Sequence, residues 1–269
     1  MPARYPERIV CLTEETTETL YLLGEERRIV GISGYTVRPP RARREKPRVS
    51  AFLSAQQEKI LALEPDLVLG FSDLQADIAR DLAKAGLNVV LFNQRSVDEI
   101  LSMVLMLSSM VGTAERGAAL VRELESGLAA IRSAGARLPR RPRVYFEEWD
   151  EPQISAIRWV SELIEIAGGE DVFAERSRAQ AASGRIVQPG AVIERAPDIV
   201  IASWCGKKFR SERVAARPGW DAIPAVRERE LHEVKSAEIL QPGPAALTDG
   251  VRRLHEIISA WPANRAGAR

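Results

Sequence analysis

The chain has 269 residues, and its 38 Lys and Arg nearly balance its 37 Asp and Glu, which leaves a formal net charge of +1. This balance argues against a general nucleic-acid-binding protein and against a general membrane-surface protein. Hydrophobic residues make up 45% of the chain and charged residues 28%, an ordinary composition for a globular protein. The length allows one large domain or two of ordinary size, and either can bury a substantial core.

Features of the termini, cysteines and apolar windows bear on location. The opening segment Met1–Glu7 is short and polar, without the apolar core of a signal peptide. Nothing approaches the about 18 continuous apolar residues that a spanning helix needs. Cys11 and Cys205 offer no disulfide framework, which fits a reducing compartment. We therefore expect no membrane insertion, no nucleic-acid partner and a cytoplasmic location, or a periplasmic one if a leader preceding this sequence has been removed.

Short apolar strands alternate with helices in the first third of the chain. The strands are predicted at residues 8–12, 28–32, 67–69 and 88–92, and the helices at 14–23, 55–63 and 74–84. A Gly- and Pro-rich loop is expected from Ser33 to Pro47. Strands and helices in this alternation are typical of a parallel sheet covered by helices.

A long helical run follows, from Ser96 to Ala134. Ser96 is a good N-cap, and apolar residues recur afterwards at spacings of three and four. Gly135 is the expected C-cap. Gly112, followed by Thr113, is the expected position of a bend or an interruption. A helix of this length between two α/β patterns predicts a strut that joins two lobes.

After this helix the strand pattern starts again. The strand at 143–147 repeats the one at 8–12, and Ile60–Leu69, which contains Pro65-Asp66, is echoed by Val192–Ile201, which contains Pro197-Asp198. This is an internal duplication on the scale of a domain. We predict an α/β fold of two similar Rossmann-like lobes with parallel sheets, joined by one long backbone helix, with a ligand cleft between the lobes. The predicted boundaries are 1–95 for the first lobe, 96–135 for the connecting helix and 136–269 for the second lobe with its terminal helix.

Signs of catalysis are few. The two histidines, His232 and His255, have no metal-ligand spacing, so no metal site is expected. The chain also lacks a nucleophile elbow, a Walker A loop and a Gly-x-Gly-x-x-Gly pattern. The crowded carboxylates of Glu147–Asp150 are a candidate for acid/base chemistry, with a solvated acidic loop as the plainer interpretation. We expect a binding protein rather than an enzyme.

Aromatic residues stand where loops should leave strands or begin helices. Flat rings at such loops suit a large, partly apolar, planar ligand, because each ring buries a large area at small entropic cost. Packing within the core is the alternative for any single ring. The cations beside Trp204, of which Lys207 is the first, suit anionic groups of a ligand, with a solvated charge run as their alternative. The aromatic candidates are Tyr35, Phe52 and Phe71 in the first lobe, and Trp149, Trp159 and Trp204 in the second.

The duplicated Pro-Asp strands, the joining helix, Arg217-Pro-Gly-Trp220 and Ile223-Pro-Ala-Val226 together resemble the helical-backbone (class III) substrate-binding proteins of ABC transporters. The stretch from Glu147-Glu-Trp-Asp150 through Ala167-Gly-Gly-Glu-Asp-Val-Phe173 is similar to their cobalamin-binding branch. The resemblance implies that cobalamin or a related corrinoid is held between the lobes as the ligand, with little hinge motion. It places ring contacts at Tyr35, Phe71, Trp149 and Trp204, with Phe52, Trp159 and Arg185 close by.

The resemblance also implies an ABC transporter as partner, docked through an acidic residue on each lobe. Asp77 suits this role in the first lobe, whereas the comparable region after Trp204 is basic, which leaves docking open. We therefore expect non-catalytic corrinoid binding by a cytoplasmic carrier or sensor. Three alternatives stay open. One is a haem or ferric-siderophore binding protein of an ABC importer, with Arg185 and Lys207 contacting an anionic chelate. The others are an enzyme acting on a bound cofactor through Glu147–Asp150, and an interaction protein with a vestigial cleft.

Overall fold

The computed structural model describes residues 5–51 and 53–261. The chain divides into two compact units. The first comprises the described residues up to Gln94 together with Asp98–Leu124, and the second comprises Arg95–Val97 and the described residues from Glu125 onward.

The first unit alternates strands and helices as the sequence predicts. Its strands are β1 (Ile9–Cys11), β2 (Ile29–Ser33), β3 (Arg48–Ala51), β4 (Ser54–Ala55), β5 (Leu67–Phe71) and β6 (Val89–Phe92). Its helices before the long helical run are α1 (Glu14–Leu22), α2 (Ala42–Glu45), α3 (Gln57–Ala62) and α4 (Ala76–Lys84). Short 3₁₀ turns cover Glu26–Arg28 and Asp73–Gln75. The segment expected to be a plain loop, Ser33 to Pro47, contains α2, which is a single turn and too short to show a period.

These six strands form one sheet in the order β4-β3-β2-β1-β5-β6, in which only the β3–β4 pair is antiparallel. Strands β1 and β5 are buried along their whole length, as parallel strands with helices on both faces should be. The chain leaves β1 toward β2 on one side and later returns to β5 on the other. This reversal of strand order makes the carboxyl end of β1 the place where α/β sheets bind ligands.

The long helical run consists of two segments, α5 (Val97–Met110) and α6 (Ala114–Ala136). Gly112 lies between them with a φ of +76°, a left-handed conformation that glycine adopts without strain. The predicted interruption at Gly112 is therefore confirmed. Helix α6 begins in the first unit and ends in the second.

The second unit repeats the α/β pattern around the strand β7. Its strands are β7 (Arg143–Asp150), β8 (Gln153–Ser155), β9 (Glu170–Asp171), β10 (Ile199–Ala202) and β11 (Leu231–Glu233). Its helices are α7 (Arg158–Ala167), α8 (Pro189–Arg195), α9 (Ser211–Ala215), α10 (Pro224–Arg227), α11 (Ser236–Ile239) and α12 (Val251–Ala260). The sheet order is β11-β10-β7-β8, with β9 also paired to β7; β8 is antiparallel to β7 and the other pairs are parallel. The predicted terminal helix begins with a π-helical turn at Ala246–Gly250.

The repeated Pro-Asp motif has the same structural role in both units. The Asp66 carboxylate accepts hydrogen bonds from the backbone N–H groups of Glu7 (2.7 Å) and Arg8 (3.0 Å), just before β1. The Asp198 carboxylate accepts one from the backbone N–H of Arg143 (2.9 Å), at the start of β7. Each aspartate thus fixes the register between its own strand and the first strand of its unit. The predicted fold class, α/β with two lobes of largely parallel strands and a long helix, is confirmed.

Within the described residues, no helix is both long and apolar enough to cross a membrane. The same residues contain no group of three or more His, Cys, Asp or Glu side chains arranged to hold a metal ion.

Candidate functional site

In the first unit, Tyr35 lies in the loop after β2 with 56% of its side chain exposed. Glu14, in the first turn of α1, holds this loop, because its Oε1 accepts hydrogen bonds from the backbone N–H groups of Val37 and Arg38, both at 3.1 Å. Arg38 is also tied to α1 by an ion pair with Glu18, at 2.9 Å. The tyrosine therefore stands on a loop that is anchored to the carboxyl end of β1.

The carboxylates that anchor this loop are themselves buried. Burial raises the pKa of Glu14 to about 7, against the opposing effect of the two backbone hydrogen bonds. Burial likewise raises the pKa of Glu15 to about 7, although the Thr13 hydroxyl donates to this carboxylate at 2.5 Å. Two adjacent carboxyl groups with such pKa values make the start of α1 sensitive to pH near neutrality.

The other aromatic candidates of this unit are less accessible. Phe71 ends β5 and is buried, with 6% of its side chain exposed, and its backbone N–H donates to Gln75 Oε1 at 3.0 Å. Phe52 lies outside the described residues. Two apolar side chains that the sequence analysis did not single out, Leu53 and Leu74, are 68% and 59% exposed in the loops after β3 and β5. The signal that marks them is an apolar residue two or three positions after a strand.

In the second unit, Trp149 lies near the end of β7, partly buried against the core. Its indole N–H donates to the carbonyl of Glu151 at 3.0 Å. The ammonium of Lys207 lies over the indole ring, 4.4 Å from the ring centre, and forms an ion pair with Asp150 at 2.8 Å. Trp149 and Lys207, both predicted from the sequence, are therefore in direct contact.

Arg185 is buried, with 2% of its side chain exposed. Its guanidinium forms a two-point ion pair with Glu148, one of whose contacts is 3.2 Å, and it also donates to the Ser155 carbonyl at 2.7 Å. The structure therefore places this arginine inside the second unit, where its charge is already compensated.

Glu147 is the most enclosed carboxylate of the 147–150 cluster, with no exposed side-chain surface. Arg217 donates to both of its oxygens, at 2.6 and 2.9 Å. The indole N–H of Trp204 and the hydroxyl of Tyr145 each donate to it at 3.1 Å. Burial lowers the pKa of Arg217, but its hydrogen bonds to Glu147 more than offset this and hold that pKa above its usual value. Burial, then the nearby Glu147 charge, raises the pKa of Tyr145.

Two of the predicted tryptophans are packed inside the second unit. Trp204 is 6% exposed and meets Phe209 edge to face, with ring centres 5.3 Å apart. Trp159 is 2% exposed, and its indole N–H donates to the Ile239 carbonyl at 2.9 Å. Because Trp159 stands in the first turn of α7 on its buried face, it serves the packing of this helix.

The structure also places the remaining polar candidates. His232, in β11, pairs with Glu230 at 2.8 Å, and His255 Nδ1 contacts the Ala167 carbonyl at 2.9 Å. Asp77 is strongly exposed in the first turn of α4 and pairs with Arg80 at 2.6 Å. All three carboxyl groups of Glu147–Asp150 are engaged by cations, from Arg217, Arg185 and Lys207. These ion pairs connect β7 to three other segments of the second unit.

A family model described as periplasmic binding protein matches residues 9–238. The chain therefore belongs to this family, whose members are solute-binding proteins of ABC transporters. The match spans the elements from β1 to α11, which includes every strand of both sheets.

Individual relatives agree with this assignment. An uncharacterised ABC transporter substrate-binding lipoprotein of Bacillus subtilis is 24% identical over 262 residues, covering 94% of this chain and 80% of the relative. A vitamin B12-binding protein of Vibrio parahaemolyticus is 25% identical over 246 residues, covering 90% and 86%. The solved apo structure of the periplasmic haem-binding protein RhuT from Roseiflexus sp. RS-1 is 25% identical, has a TM-score of 0.80 and covers 94% of this chain and 99% of that one.

These comparisons correct the expected location. One relative is named a lipoprotein and another a periplasmic binding protein, and such proteins work outside the cytoplasm. The prediction of a cytoplasmic carrier or sensor is therefore wrong.

Proposed function

We propose that this chain is the substrate-binding protein of an ABC importer, and that it binds a cobalamin or a related corrinoid without catalysing a reaction. The similarity to the vitamin B12-binding protein of Vibrio parahaemolyticus supports the corrinoid. The observation that carries the proposal is an aromatic side chain at the strand ends of each unit: Tyr35 after β2 and Trp149 at the end of β7. A corrin macrocycle offers a broad, partly apolar surface to such rings.

The polar surroundings of Trp149 also suit a corrinoid. The peripheral amides of a corrin ring are uncharged hydrogen-bond donors and acceptors, so they need no unpaired cation on the protein. Arg185 and Lys207, which the haem or siderophore alternative assigns to an anionic chelate, are each paired with a carboxylate of their own unit. A haem with two propionates gains less from cations that are already compensated.

Haem is the second candidate ligand, because of the similarity to RhuT, at 25% identity and a TM-score of 0.80. The exposed cations Lys208 and Arg210, on the loop after Trp204, are the feature that favours it. A haem carrier would use such side chains to pair with propionates.

The proposal is tested by titrating the purified protein with cyanocobalamin, followed by tryptophan fluorescence and by calorimetry. We expect one-to-one binding that Trp149→Ala weakens about tenfold or more, since a ring contact to a macrocycle is lost. Trp159→Phe is the matched control: it removes a buried hydrogen bond and lowers stability by about 1–3 kcal/mol without changing affinity. If the wild-type protein binds hemin and does not bind cyanocobalamin, the ligand is haem and the corrinoid proposal fails.

A further inference from the structure

The side chains of Trp149, Asp150 and Lys207 form one compact group, which we call the covered tryptophan. The Lys207 ammonium lies 4.4 Å from the centre of the indole ring and 2.8 Å from Asp150 Oδ1. Asp150 has 16% of its side chain exposed and Lys207 has 44%. One face of the Trp149 ring is therefore covered by the Lys207 ammonium, and Asp150 neutralises the charge of that ammonium.

A neutralised cation and a free one select different ligands. A free ammonium beside an aromatic face attracts an anionic group and compensates the cost of removing that group from water. An ammonium already paired with a carboxylate offers little of this, and the carboxylate repels a second anion. The covered tryptophan thus presents to an incoming ligand an ammonium–carboxylate pair with no net charge.

We propose that Asp150 is a specificity-determining residue, which favours uncharged macrocycles over carboxylated ones by neutralising Lys207 above Trp149. The proposal rests on the function proposed above and adds to it a reason for rejecting an anionic macrocycle. The carboxylated macrocycle binds less well because the Lys207 ammonium is not available to pair with its carboxylates. The uncharged macrocycle needs no additional contact for this difference to arise.

The test compares dissociation constants for cyanocobalamin and hemin in wild type and in Asp150→Asn. The asparagine keeps the shape and an acceptor oxygen, and it leaves the ammonium uncompensated. We expect the ratio of the two constants to move toward hemin by about tenfold. Adding Lys207→Met should cancel the change. Lys59→Met, which removes an exposed cation on α3 of the first unit, should not. A change below about twofold, or one that survives Lys207→Met, would overturn the proposal.

A second readout needs no ligand and therefore separates this proposal from the proposed function. Trp149 is partly exposed, while the other four tryptophans are at most 6% exposed, so external quenchers report mainly on Trp149. Asp150→Asn should raise quenching by iodide, an anion, and leave quenching by neutral acrylamide unchanged. Lys207→Met should abolish the increase. If cyanocobalamin fails to bind at all but iodide behaves in this way, the corrinoid assignment fails and the charge compensation stands; unchanged iodide quenching refutes the compensation itself.

Discussion

Arg217 and Glu147 form an ion pair in which both carboxylate oxygens, at 2.6 and 2.9 Å, receive guanidinium nitrogens. The pair joins the middle of β7 to the turn that precedes Trp220, and the guanidinium also lies over the Trp220 ring at 4.5 Å from its centre. Since Trp204 donates to the same carboxylate, one buried charge holds three separate segments of the second unit. This explains why Arg217-Pro-Gly-Trp220 stands out in the sequence.

Replacing Arg217 by Met should destabilise the protein by about 3–5 kcal/mol, because Glu147 is left buried and without its cation. Urea unfolding followed by circular dichroism measures the loss. Arg80→Met is the control, since Arg80 is exposed and its pairs with Asp77 and Asp81 should contribute little. Equal losses in the two variants would contradict a special role for the buried pair.

Stability should fall as the pH rises from about 5 to about 8. The pKa values of Glu14 and Glu15 are each about 7 in the folded chain and that of Asp171 about 6, all raised chiefly by burial above their ordinary values. In this range the unfolded chain loses these protons before the folded chain does, so ionisation favours unfolding. The contribution is complete below the ordinary pKa values, and it is lost as the pH passes the raised ones.

Thermal unfolding midpoints across this pH range measure the effect. Glu14→Gln should flatten the slope while keeping an acceptor for the N–H groups of Val37 and Arg38. Glu58→Gln, at an exposed position on α3, should leave the slope unchanged. A midpoint that rises steadily with pH in the wild type would contradict the assignment of raised pKa values.

Two glycines of the long helical run should respond to alanine with opposite signs. Gly112 has a φ of +76°, and an added Cβ would lie 2.6 Å from the Tyr5 ring, so Gly112→Ala should cost about 1–3 kcal/mol. Gly127 stands inside α6 with open space around it, so Gly127→Ala should stabilise by about 0.5–1 kcal/mol. Chemical denaturation of both variants provides the test. A stabilising effect of Gly112→Ala would contradict the prediction and would show that α5 and α6 can form one uninterrupted helix.

Much of the fold could be predicted from local chemistry. Apolar strands such as Ile9–Cys11 and Ile199–Ala202, the Pro-Asp motif before the strands, and Gly112 as a helix interruption are signals that lie within a few residues of each other. Each element forms largely because of its own periodicity, its caps and its breakers. The strands β3, β4, β8 and β9 were missed because two to four residues are too few to show a period.

The candidate site could be predicted only in part. The residue types and their place after strands pointed to Tyr35, Trp149 and Lys207. Exposure and pairing, however, depend on residues far apart in the chain. The Trp159 indole reaches the Ile239 carbonyl, 80 positions further along the chain, and the Arg185 guanidinium is paired with Glu148.

The sequence by itself determined the alternation of strands and helices, the duplication and the family. These features can be recognised from short stretches of sequence, without knowing which distant residues come into contact. Only the tertiary structure decided which charges are free. Glu147, Glu148 and Asp150 are consecutive or nearly so, yet their cations come from positions 217, 185 and 207. Ion pairing acts through space over a few ångströms, and no spacing along the chain encodes which distant cation folding brings within that distance.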